Sequence, residues 1–302
     1  MTKPGASLPT RRFGRSDFEV SVLGFGAQWI GDPALAERDV ANVIAAALDA
    51  GITLFDTARL YFASERRLGT LLKPVRQQII LSSKVGYDIP GTEDWSFAAV
   101  SRGVDEALRV LQTDYLDVVH LHSCGLQYLQ RGEVITALEQ AKTAGKVRAI
   151  AYSGENEALA FAIQSGRFDS VQCSVNLIDQ YALQQLLPAA REQGLGVIAK
   201  RCLANAIWTY PSLPARDDLA EYWPRWQAMS TLPLLAELPA DEVALRFAAF
   251  APGVSSAIIG TTKVSSLQRN LALLAKGPLP AAAQQQIHEY FHRLGQHWPG
   301  RV

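Results

Sequence analysis

The chain alternates between short apolar runs and longer segments with helical spacing. Most of the short runs are continuously apolar, whereas a strand with one solvent-facing side alternates apolar and polar residues. This continuity is typical of strands buried on both faces of a parallel sheet. The eight runs are residues 20–26, 52–56, 78–84, 116–122, 147–153, 170–176, 195–200 and 255–260.

The segments between the runs place apolar residues three and four positions apart, as one buried face of a helix requires. Residues 37–51 end at Gly51, a natural helix C-cap, and similar segments span 99–114, 132–145 and 181–194. Eight strands, each followed by a helix, in about 250–300 residues predict a (β/α)8 TIM barrel. An open doubly wound sheet is the alternative fold.

Two further segments complete the predicted architecture. Residues 11–23 predict a β-hairpin that closes the bottom of the barrel. The interval from Lys200 to Gly260 is about twice the usual β/α step and contains three tryptophans and three prolines within 204–226. It predicts a long substrate loop after strand seven, with a surface excursion carrying an extra helix as the alternative. We predict a single domain over residues 1–302.

Charge and cysteine content narrow the classes of partner. The 29 basic and 29 acidic residues give zero formal charge, so nothing favours nucleic acid or an anionic membrane. Three cysteines without close spacing favour a reducing compartment over a zinc module. The N-terminus lacks a signal-peptide core, and no stretch approaches the roughly 20 apolar residues of a membrane span. We expect a cytoplasmic protein, and the sequence carries no signal for an oligomeric state.

Polar residues follow the apolar runs at their C-terminal ends. They are Asp56, Lys84, His122, Ser153, Asn176, Lys200 and the Gly260–Thr262 turn. In a β/α barrel these ends share one rim, where barrel enzymes build their active sites. Trp29, Trp95 and Trp208 are candidates for a substrate pocket at this rim, with core or loop packing as the alternative for each.

A phenol that lies five residues beyond Asp56 can form a proton donor together with an amine and a carboxylate of this set. A tyrosine phenol has a pKa of ~10, and an ammonium about 4 Å away favours its ionised form by up to roughly 4 kcal/mol, at an effective dielectric of ~20. A nearby carboxylate keeps that ammonium charged against desolvation. Tyr61, Lys84 and Asp56 supply these parts, and His122 adds a donor for a carbonyl oxygen. A proton donor for a developing alkoxide implies a separate hydride donor.

The segment FDTARLYFASERRLG at residues 55–69 resembles the aldo-keto reductase pattern FDTA-x-x-Y-x-x-SE-x-x-LG. The segments LSSKVGYD, LDVVHLH and VSSAIIGTTKVSSLQRNL follow in the family's order, and the resemblance runs nearly end to end. It implies a barrel that binds NADP(H) or NAD(H) without a Rossmann domain. It also implies a tetrad in which Tyr61 is the general acid, Asp56 and Lys84 tune its acidity, and His122 orients the carbonyl.

The same resemblance implies residues for the cofactor. Gly26 and Ala27 would lie beside the nicotinamide ribose, and Ser153 and Gln172 would bond the carboxamide. A Gly-Thr-Thr turn before a helix offers free backbone N–H groups to phosphate. The residues that fall on this adenosine-phosphate segment are Gly260, Thr262, Ser266 and Asn270.

The chain departs from the family pattern at two places that bear on the cofactor. Many members stack an aromatic residue on the nicotinamide after strand seven, but this chain has Lys200 and Arg201, and we expect Arg201 to reach the pyrophosphate. Many members also carry a lysine and an arginine for the 2′-phosphate, where this chain has Gly260 and Ser266. The candidate substitutes are Lys263 and Arg269. We expect NADP as the cofactor, with NAD as the alternative.

Other patterns suggest different chemistry. HEYFH at 288–292 matches the H-E-x-x-H zinc-protease pattern, with a solvated helix face as the alternative. His120 and His122 face one way on a strand and with Asp56 suggest a metal site, although Lys84 would repel a cation. Cys124 is a candidate nucleophile, with an inert buried thiol as the alternative.

Two other functions compete with carbonyl reduction. One is a class I aldolase in which Lys84 forms the Schiff base, which requires a depressed lysine pKa. The other is a non-catalytic, nicotinamide-binding, redox-sensing subunit. We expect an oxidoreductase with no metal, acting on a small-molecule carbonyl or sugar.

Overall fold

The apolar runs form a closed parallel barrel in the computed structural model, which describes residues 8–302. Its strands are β1 (Thr10–Arg12), β2 (Glu19–Ser21), β3 (Leu23–Gly26), β4 (Leu54–Asp56), β5 (Ile80–Val85), β6 (Leu116–His122), β7 (Val147–Ser153), β8 (Ser170–Ser174), β9 (Gly196–Lys200) and β10 (Ser256–Ile259). Strands β3 to β10 pair in chain order, and β10 bonds to both β9 and β3. The predicted (β/α)8 barrel is confirmed, and the open sheet is wrong.

Helices connect successive barrel strands. They are α1 (Glu37–Asp49), α2 (Ser64–Leu72), α3 (Phe97–Leu111), α4 (Leu126–Arg131), α5 (Glu133–Thr143), α6 (Asn156–Gln164), α7 (Leu187–Glu192), α8 (Asp217–Ala220), α9 (Tyr222–Met229), α10 (Leu234–Glu237), α11 (Ala240–Ala249), α12 (Val264–Leu274) and α13 (Ala281–Gly295). Short 3₁₀ segments lie at Trp29–Gly31, Lys73–Gln78 and Ala204–Thr209, and a π-helical turn at Ala182–Leu186. No helix within residues 8–302 has the length and hydropathy needed to cross a membrane.

The helical spacing of the sequence becomes a buried face on each large helix. In α1 the buried residues are Val40, Val43, Ile44 and Ala47, which are three and four positions apart. They belong to the main hydrophobic core, together with the apolar residues of the strands. The outward polar residues of α1 therefore face solvent, and the strands are covered on their outer side.

The hairpin predicted for residues 11–23 forms as β1 and β2, which pair antiparallel. Phe13 and Phe18 stack at 5.3 Å and pack against the barrel interior. Their neighbours include Leu54 and Ile80, the first residues of β4 and β5. The hairpin therefore closes the N-terminal end of the barrel and leaves the opposite rim open.

The long segment after β9 is folded. It contains the 3₁₀ segment Ala204–Thr209 and helices α8 to α11 before β10 begins. Part of it also reaches the rim, where Asn205, Ala206, Tyr210 and Arg216 line a cavity. The extra helices of the second alternative are therefore present, and the first part of the segment forms a wall of the cavity. Its role in binding substrate stays a prediction.

Candidate active site

A cavity of about 440 Å³ opens at the C-terminal ends of the barrel strands. Parallel register aligns these ends, so that His122 lies opposite Ser153 and Ser153 lies opposite Gln172. The residues singled out by the sequence that line it are Gly26, Trp29, Asp56, Tyr61, Lys84, His122, Ser153, Gln172, Lys200, Arg201 and Gly260. The carboxylate, phenol, amine and imidazole of the implied tetrad thus share one cavity.

A buried ion pair joins β4 and β5 at the floor of this cavity. The Lys84 Nζ lies 2.6 Å from Asp56 Oδ2 and donates to the Thr57 carbonyl oxygen at 2.8 Å. Burial alone would lower the pKa of Lys84, but the Asp56 carboxylate and the Tyr61 hydroxyl outweigh it and raise that pKa above the usual lysine value. Lys84 therefore carries its positive charge at the cavity floor.

The second oxygen of Asp56 is also fully engaged. Asp56 Oδ1 accepts hydrogen bonds from the Ser82 hydroxyl at 2.8 Å and from the Gln172 amide at 3.1 Å. Hydrogen bonds to an ionised acceptor are short and strong, so they fix the carboxylate in one orientation. Asp56 therefore holds Lys84 at a defined place beneath the rim.

Tyr61 lies in the turn between β4 and α2, directly above this ion pair. The Lys84 Nζ is 5.0 Å from the centre of the Tyr61 ring. The Ser64 hydroxyl donates to the Ala27 carbonyl oxygen at 2.8 Å, so it accepts from the Thr57 hydroxyl at 2.7 Å. These two bonds bracket the turn, which explains why the motif spaces a threonine, the tyrosine and a serine as it does.

His122 ends β6 beside Tyr61, with ring centroids 5.9 Å apart. The Nδ1 atom of His122 lies 2.7 Å from the Tyr87 hydroxyl. Burial lowers the pKa of His122 well below its usual value, and the charges of Lys84 and Lys200 lower it further. The imidazole is therefore neutral. The sequence analysis did not single out Tyr87. The one signal for it in the sequence is that an aromatic residue stands three positions beyond Lys84.

His120 lies one layer deeper and does not reach the cavity wall. Burial lowers the pKa of His120 to about 3, and its Nε2 lies 3.0 Å from the Ser82 hydroxyl. Within residues 8–302, no group of three or more His, Cys, Asp or Glu side chains is arranged to hold a metal ion. The neutral His120 therefore acts as a packed neighbour of the Asp56 network.

The other rival motifs also have ordinary structural partners. His288, from the HEYFH segment, lies on α13 with its Nδ1 3.0 Å from the side-chain oxygen of Gln180. Cys124 is buried, and burial raises the pKa of its thiol to about 12. A thiol with that pKa stays protonated near neutral pH, which argues against a nucleophile at this position.

A second buried ion pair borders the cavity at β9. Lys200 Nζ lies 3.2 Å from Glu155 Oε1, which also accepts from the backbone N–H of Ser174 at 2.9 Å. Burial lowers the pKa of Lys200, and Glu155 offsets part of that effect. The Arg201 guanidinium donates to the Ser174 hydroxyl at 3.1 Å. Sequence reasoning missed Glu155, although it follows the end of β7 by two residues, as strand-end site residues do.

The donor groups at the wall fit a nicotinamide dinucleotide. A Cβ at Gly260 would lie 2.7 Å from the Trp29 ring and 2.9 Å from the Gly26 carbonyl oxygen, so only glycine fits where β3 and β10 end. This leaves backbone groups facing the cavity. Arg201 and Arg216 bring positive charge to the same wall, which suits an anionic diphosphate, while Arg216 already makes two hydrogen bonds to Asp218 and Arg201 one to Ser174.

The remaining residues named for the cofactor lie apart from the cavity wall. Ala27 is buried, and its backbone N–H donates to the Asp56 carbonyl oxygen at 2.8 Å. Arg269 pairs with Asp241, so its guanidinium is already engaged, whereas Lys263 is exposed. The residues on the turn after β10 and on α12 are Thr262, Lys263, Ser266, Arg269 and Asn270. Their contact with a cofactor stays a prediction.

The three candidate tryptophans have different places. Trp29 lies at the cavity wall, with the Arg216 guanidinium 5.5 Å from its ring. Trp95 packs behind the wall against Tyr87, with ring centroids 5.0 Å apart. Trp208 packs against Trp226 at 5.8 Å. For Trp95 and Trp208 the structure places the ring in loop packing outside the cavity lining, so a direct role in the pocket is expected of Trp29 alone.

Comparison with known proteins identifies the relationship. A model described as the aldo/keto reductase family matches residues 22–290. The chain belongs to the aldo/keto reductase family. Proteins similar to this chain include named dehydrogenases. This aldo/keto reductase is therefore an NAD(P)-dependent oxidoreductase. Members of the family act on small-molecule carbonyl substrates and generally bind NAD(P)H.

Similar proteins span nearly the whole barrel. L-galactose dehydrogenase of Arabidopsis thaliana is 29% identical over 294 residues, covering 89% of each chain. D-threo-aldose 1-dehydrogenase of a Pseudomonas species is 26% identical over 311 residues, covering 89% of this chain and 94% of that one. The solved structure of aldo-keto reductase AKR11C1 from Bacillus halodurans in its holo form is 27% identical, with a TM-score of 0.82 and coverage of 94% and 96%.

Proposed function

We propose that this aldo/keto reductase moves a hydride between a nicotinamide and a carbonyl or alcohol, with Tyr61 as general acid and base. The observation that supports this best is the Lys84–Asp56 ion pair directly beneath the Tyr61 ring, at the floor of an open cavity. A charged amine below a phenol favours the phenolate, which is the form that remains after the proton has been given away.

The proton transfer follows from these contacts. The Tyr61 hydroxyl donates to the carbonyl oxygen as that oxygen gains negative charge, and the Lys84 ammonium stabilises the phenolate that is left. Asp56 keeps the ammonium charged and fixed through its 2.6 Å contact. A bound nicotinamide supplies or accepts the hydride in this chemistry. In the oxidising direction, the Tyr61 phenolate takes the proton from the alcohol.

His122 orients the carbonyl in this proposal. Its imidazole is neutral, since burial and two nearby ammonium groups disfavour a second proton. A neutral imidazole donates one hydrogen bond, and such a bond holds a carbonyl oxygen beside the phenol. Tyr61 and His122 therefore act on the same oxygen, one by proton transfer and the other by position.

The proposed cofactor is NADP(H), with NAD(H) as the alternative. Gly260 provides the narrow approach to the cavity beside Gly26. Ser153 and Gln172, joined by a 3.0 Å hydrogen bond, present a hydroxyl and an amide to a carboxamide. Arg201 suits the diphosphate. The exposed Lys263 is the candidate partner for a 2′-phosphate, because Arg269 is paired with Asp241.

The proposed substrate is an aldehyde, a ketone or a sugar. The cavity mouth combines an indole ring at Trp29 with a guanidinium at Arg216 and a phenol at Tyr210. Aromatic faces with hydrogen-bonding groups at their edge suit small polar ligands that also carry C–H surface. Two similar proteins are named for sugar oxidation, L-galactose dehydrogenase and D-threo-aldose 1-dehydrogenase, which agrees with this choice.

The aldolase alternative loses its support at Lys84. A Schiff-base lysine needs a depressed pKa so that the amine is neutral. At Lys84 the neighbouring Asp56 and Tyr61 raise the pKa. The family relationship also makes the chain an oxidoreductase.

Replacement of Tyr61 tests the proposed function directly. Tyr61→Phe removes the proton donor and keeps the ring, so we expect turnover to fall by about 10²- to 10⁴-fold. Titration with NADPH and NADH separately, followed by quenching of tryptophan fluorescence, measures cofactor binding, which should persist. The matched control is Tyr115→Phe, just before β6 at the closed end of the barrel.

The outcomes separate the alternatives. Near-normal turnover in Tyr61→Phe would show that another group supplies the proton. Tight binding of NADPH or NADH by the wild type, without turnover of any aldehyde or sugar, would favour the non-catalytic subunit. The ratio of the two dissociation constants decides between NADP and NAD.

A further inference from the structure

Three aromatic rings form a row behind His122, on the side away from the cavity. Tyr87 stacks on the imidazole with ring centroids 5.6 Å apart and planes inclined by 24°. Trp95 meets Tyr87 edge-on at 5.0 Å, and Tyr128 lies 6.2 Å from Trp95. The proposed function assigns no role to these three residues, although the first of them touches a tetrad residue.

The backbone before Tyr87 is shaped to admit this row. Gly86 has a φ of +135°, and a Cβ there would lie 2.1 Å from a Trp95 ring atom. The backbone N–H of Trp95 donates to the Gly86 carbonyl oxygen at 2.7 Å. Only glycine fits this conformation and this approach. Trp95 therefore packs directly against the chain that carries Tyr87 and holds the phenol in place.

The polar end of the row is a single hydrogen bond between two side chains. The Tyr87 hydroxyl lies 2.7 Å from His122 Nδ1, and it has no other hydrogen-bond partner among residues 8–302. Burial raises the pKa of Tyr87, so the phenol keeps its proton. A phenol is a better donor than acceptor, and an unprotonated imidazole nitrogen is a good acceptor. Tyr87 therefore donates to Nδ1.

The direction of this bond fixes the position of the proton on His122. A neutral imidazole carries one N–H, and an Nδ1 that accepts a hydrogen bond leaves that proton on Nε2. His122 is part of the cavity wall, and no protein group within residues 8–302 hydrogen-bonds its Nε2. The Nε2–H of His122 is therefore available to donate a hydrogen bond to a ligand in the cavity.

We propose that Tyr87 is a positioning residue that sets the tautomer and the ring orientation of His122, so that its Nε2–H donates to the substrate's carbonyl oxygen. The opposite tautomer would offer a lone pair to an oxygen that is gaining negative charge and would repel it. The inference rests on the proposed function for the identity of the oxygen, while the state of His122 is measured independently.

Nitrogen NMR of protein with ¹⁵N-labelled histidine tests the first half of the proposal. His122→Asn identifies the signal among the five histidines. We expect the wild type to carry its proton on Nε2, with Nδ1 at the shift of an unprotonated, hydrogen-bonded nitrogen. In Tyr87→Phe, part of the proton should pass to Nδ1, so the Nδ1 resonance should move toward that of a protonated nitrogen and the Nε2 resonance toward that of an unprotonated one. A wild-type proton on Nδ1, or an unchanged Nδ1 resonance in Tyr87→Phe, would overturn the assignment.

Kinetics test the second half, with Tyr128→Phe as the matched control. Tyr128 lies at the far end of the same aromatic row, and its hydroxyl bonds to no protein group within residues 8–302. We expect Tyr87→Phe to lower kcat/KM by about 10- to 100-fold, the loss typical of residues that orient a functional imidazole from behind. Affinity for NADPH should stay unchanged, and Tyr128→Phe should behave as wild type in both measurements.

The combined results separate the two proposals. If the Nδ1 resonance moves but kcat/KM does not fall, His122 does not depend on its tautomer and the positioning role of Tyr87 is wrong. If Tyr61→Phe retains turnover while the NMR result stands, the proposed function fails and the assignment of the His122 tautomer survives. A loss of NADPH affinity in Tyr87→Phe would indicate general damage to the cavity and would also overturn the positioning role.

Discussion

The two sides of the cavity are built in different ways. On one side, the ends of β4, β5 and β6 present Asp56, Lys84 and His122 on regular strand backbone, with the ion pair only 2% exposed. On the other side, the segment after β9 follows an irregular path. Its non-glycine residues with positive φ are the run Arg201 (54°), Ala204 (44°), Asn205 (52°) and Ala206 (55°), whereas on the strand side such residues stand singly, as at Phe62 (47°) after Tyr61 and Ser123 (64°) after His122.

The difference in backbone regularity between the two sides suits two different tasks, proton transfer and ligand recognition. Strand ends are fixed by a hydrogen-bonded ladder on both sides, so side chains there keep positions defined well enough for proton transfer. A left-handed conformation costs an L-residue roughly 1–2 kcal/mol, and such strain collects at sites where the chain must present particular groups to a ligand. In the proposed function the strand side carries the reaction, and the segment after β9 contributes Asn205, Tyr210 and Arg216 to the wall around the substrate.

The largest effect is expected on the strand side, from Lys84→Met. This change leaves the buried Asp56 carboxylate without its counter-charge, and breaking a buried pair in this way costs about 3–5 kcal/mol of unfolding free energy. Denaturation with urea measures the loss, and turnover should also disappear. The double variant Asp56→Asn with Lys84→Met removes both charges and should recover part of the stability. No recovery in the double variant would show that packing, and not the unpaired charge, dominates.

A pH-dependent contribution to the unfolding free energy is expected from Asp179, which lies beneath the segment after β9. Burial raises the pKa of Asp179 to about 7, and the charge of Glu155 contributes. Its Oδ2 accepts from the Tyr222 hydroxyl of α9 and from the backbone N–H of Arg301, each at 3.1 Å. The network thus ties the segment after β9 to the end of the chain.

The direction in which the unfolding free energy changes with pH follows from proton binding at the Asp179 carboxyl. The folded state holds the Asp179 proton up to about pH 7, whereas an unfolded aspartate loses it near its usual pKa of ~3.9. Stability from this group is therefore complete below about pH 4 and is lost as the pH rises through about 7. Asp179→Asn should gain stability relative to wild type between pH 5 and 8, measured by urea denaturation at each pH. A constant difference across that range would contradict the raised pKa.

The smallest changes in stability are expected from two alanine-to-glycine variants, one in the segment after β9 and one in the barrel strand β7. Ala206→Gly removes the strain of an alanine in the left-handed conformation, but it also raises the conformational entropy of the unfolded chain. We therefore expect the unfolding free energy to rise by at most about 1 kcal/mol. Ala151→Gly, in the buried β7 strand, removes a packed methyl group and should cost about 1 kcal/mol or more. Equal losses at the two positions would show that the backbone at Ala206 is not strained.

The strand ends could be predicted because two local signals agree there. Apolar runs with strand propensity mark where β4, β5 and β6 lie, and the first polar residue after each run marks its C-terminal end. A parallel barrel brings all such ends to one rim, so Asp56, Lys84 and His122 needed no knowledge of side-chain packing. The turn with Thr57, Tyr61 and Ser64 is partly local, because the Thr57–Ser64 bond joins residues seven positions apart, whereas the Ser64 bond to the Ala27 carbonyl oxygen joins two distant segments.

The sequence by itself determined the barrel, the hairpin at its closed end and the polar groups at its open end, since periodicity and strand-end chemistry are properties of short segments. Only the tertiary structure decided what stands behind those groups. Tyr87 reaches His122, Glu155 reaches Lys200, and Trp95 packs outside the cavity because of distances between segments that lie far apart in the chain. No local pattern fixes such contacts, because they depend on how loops of irregular backbone fold over the rim.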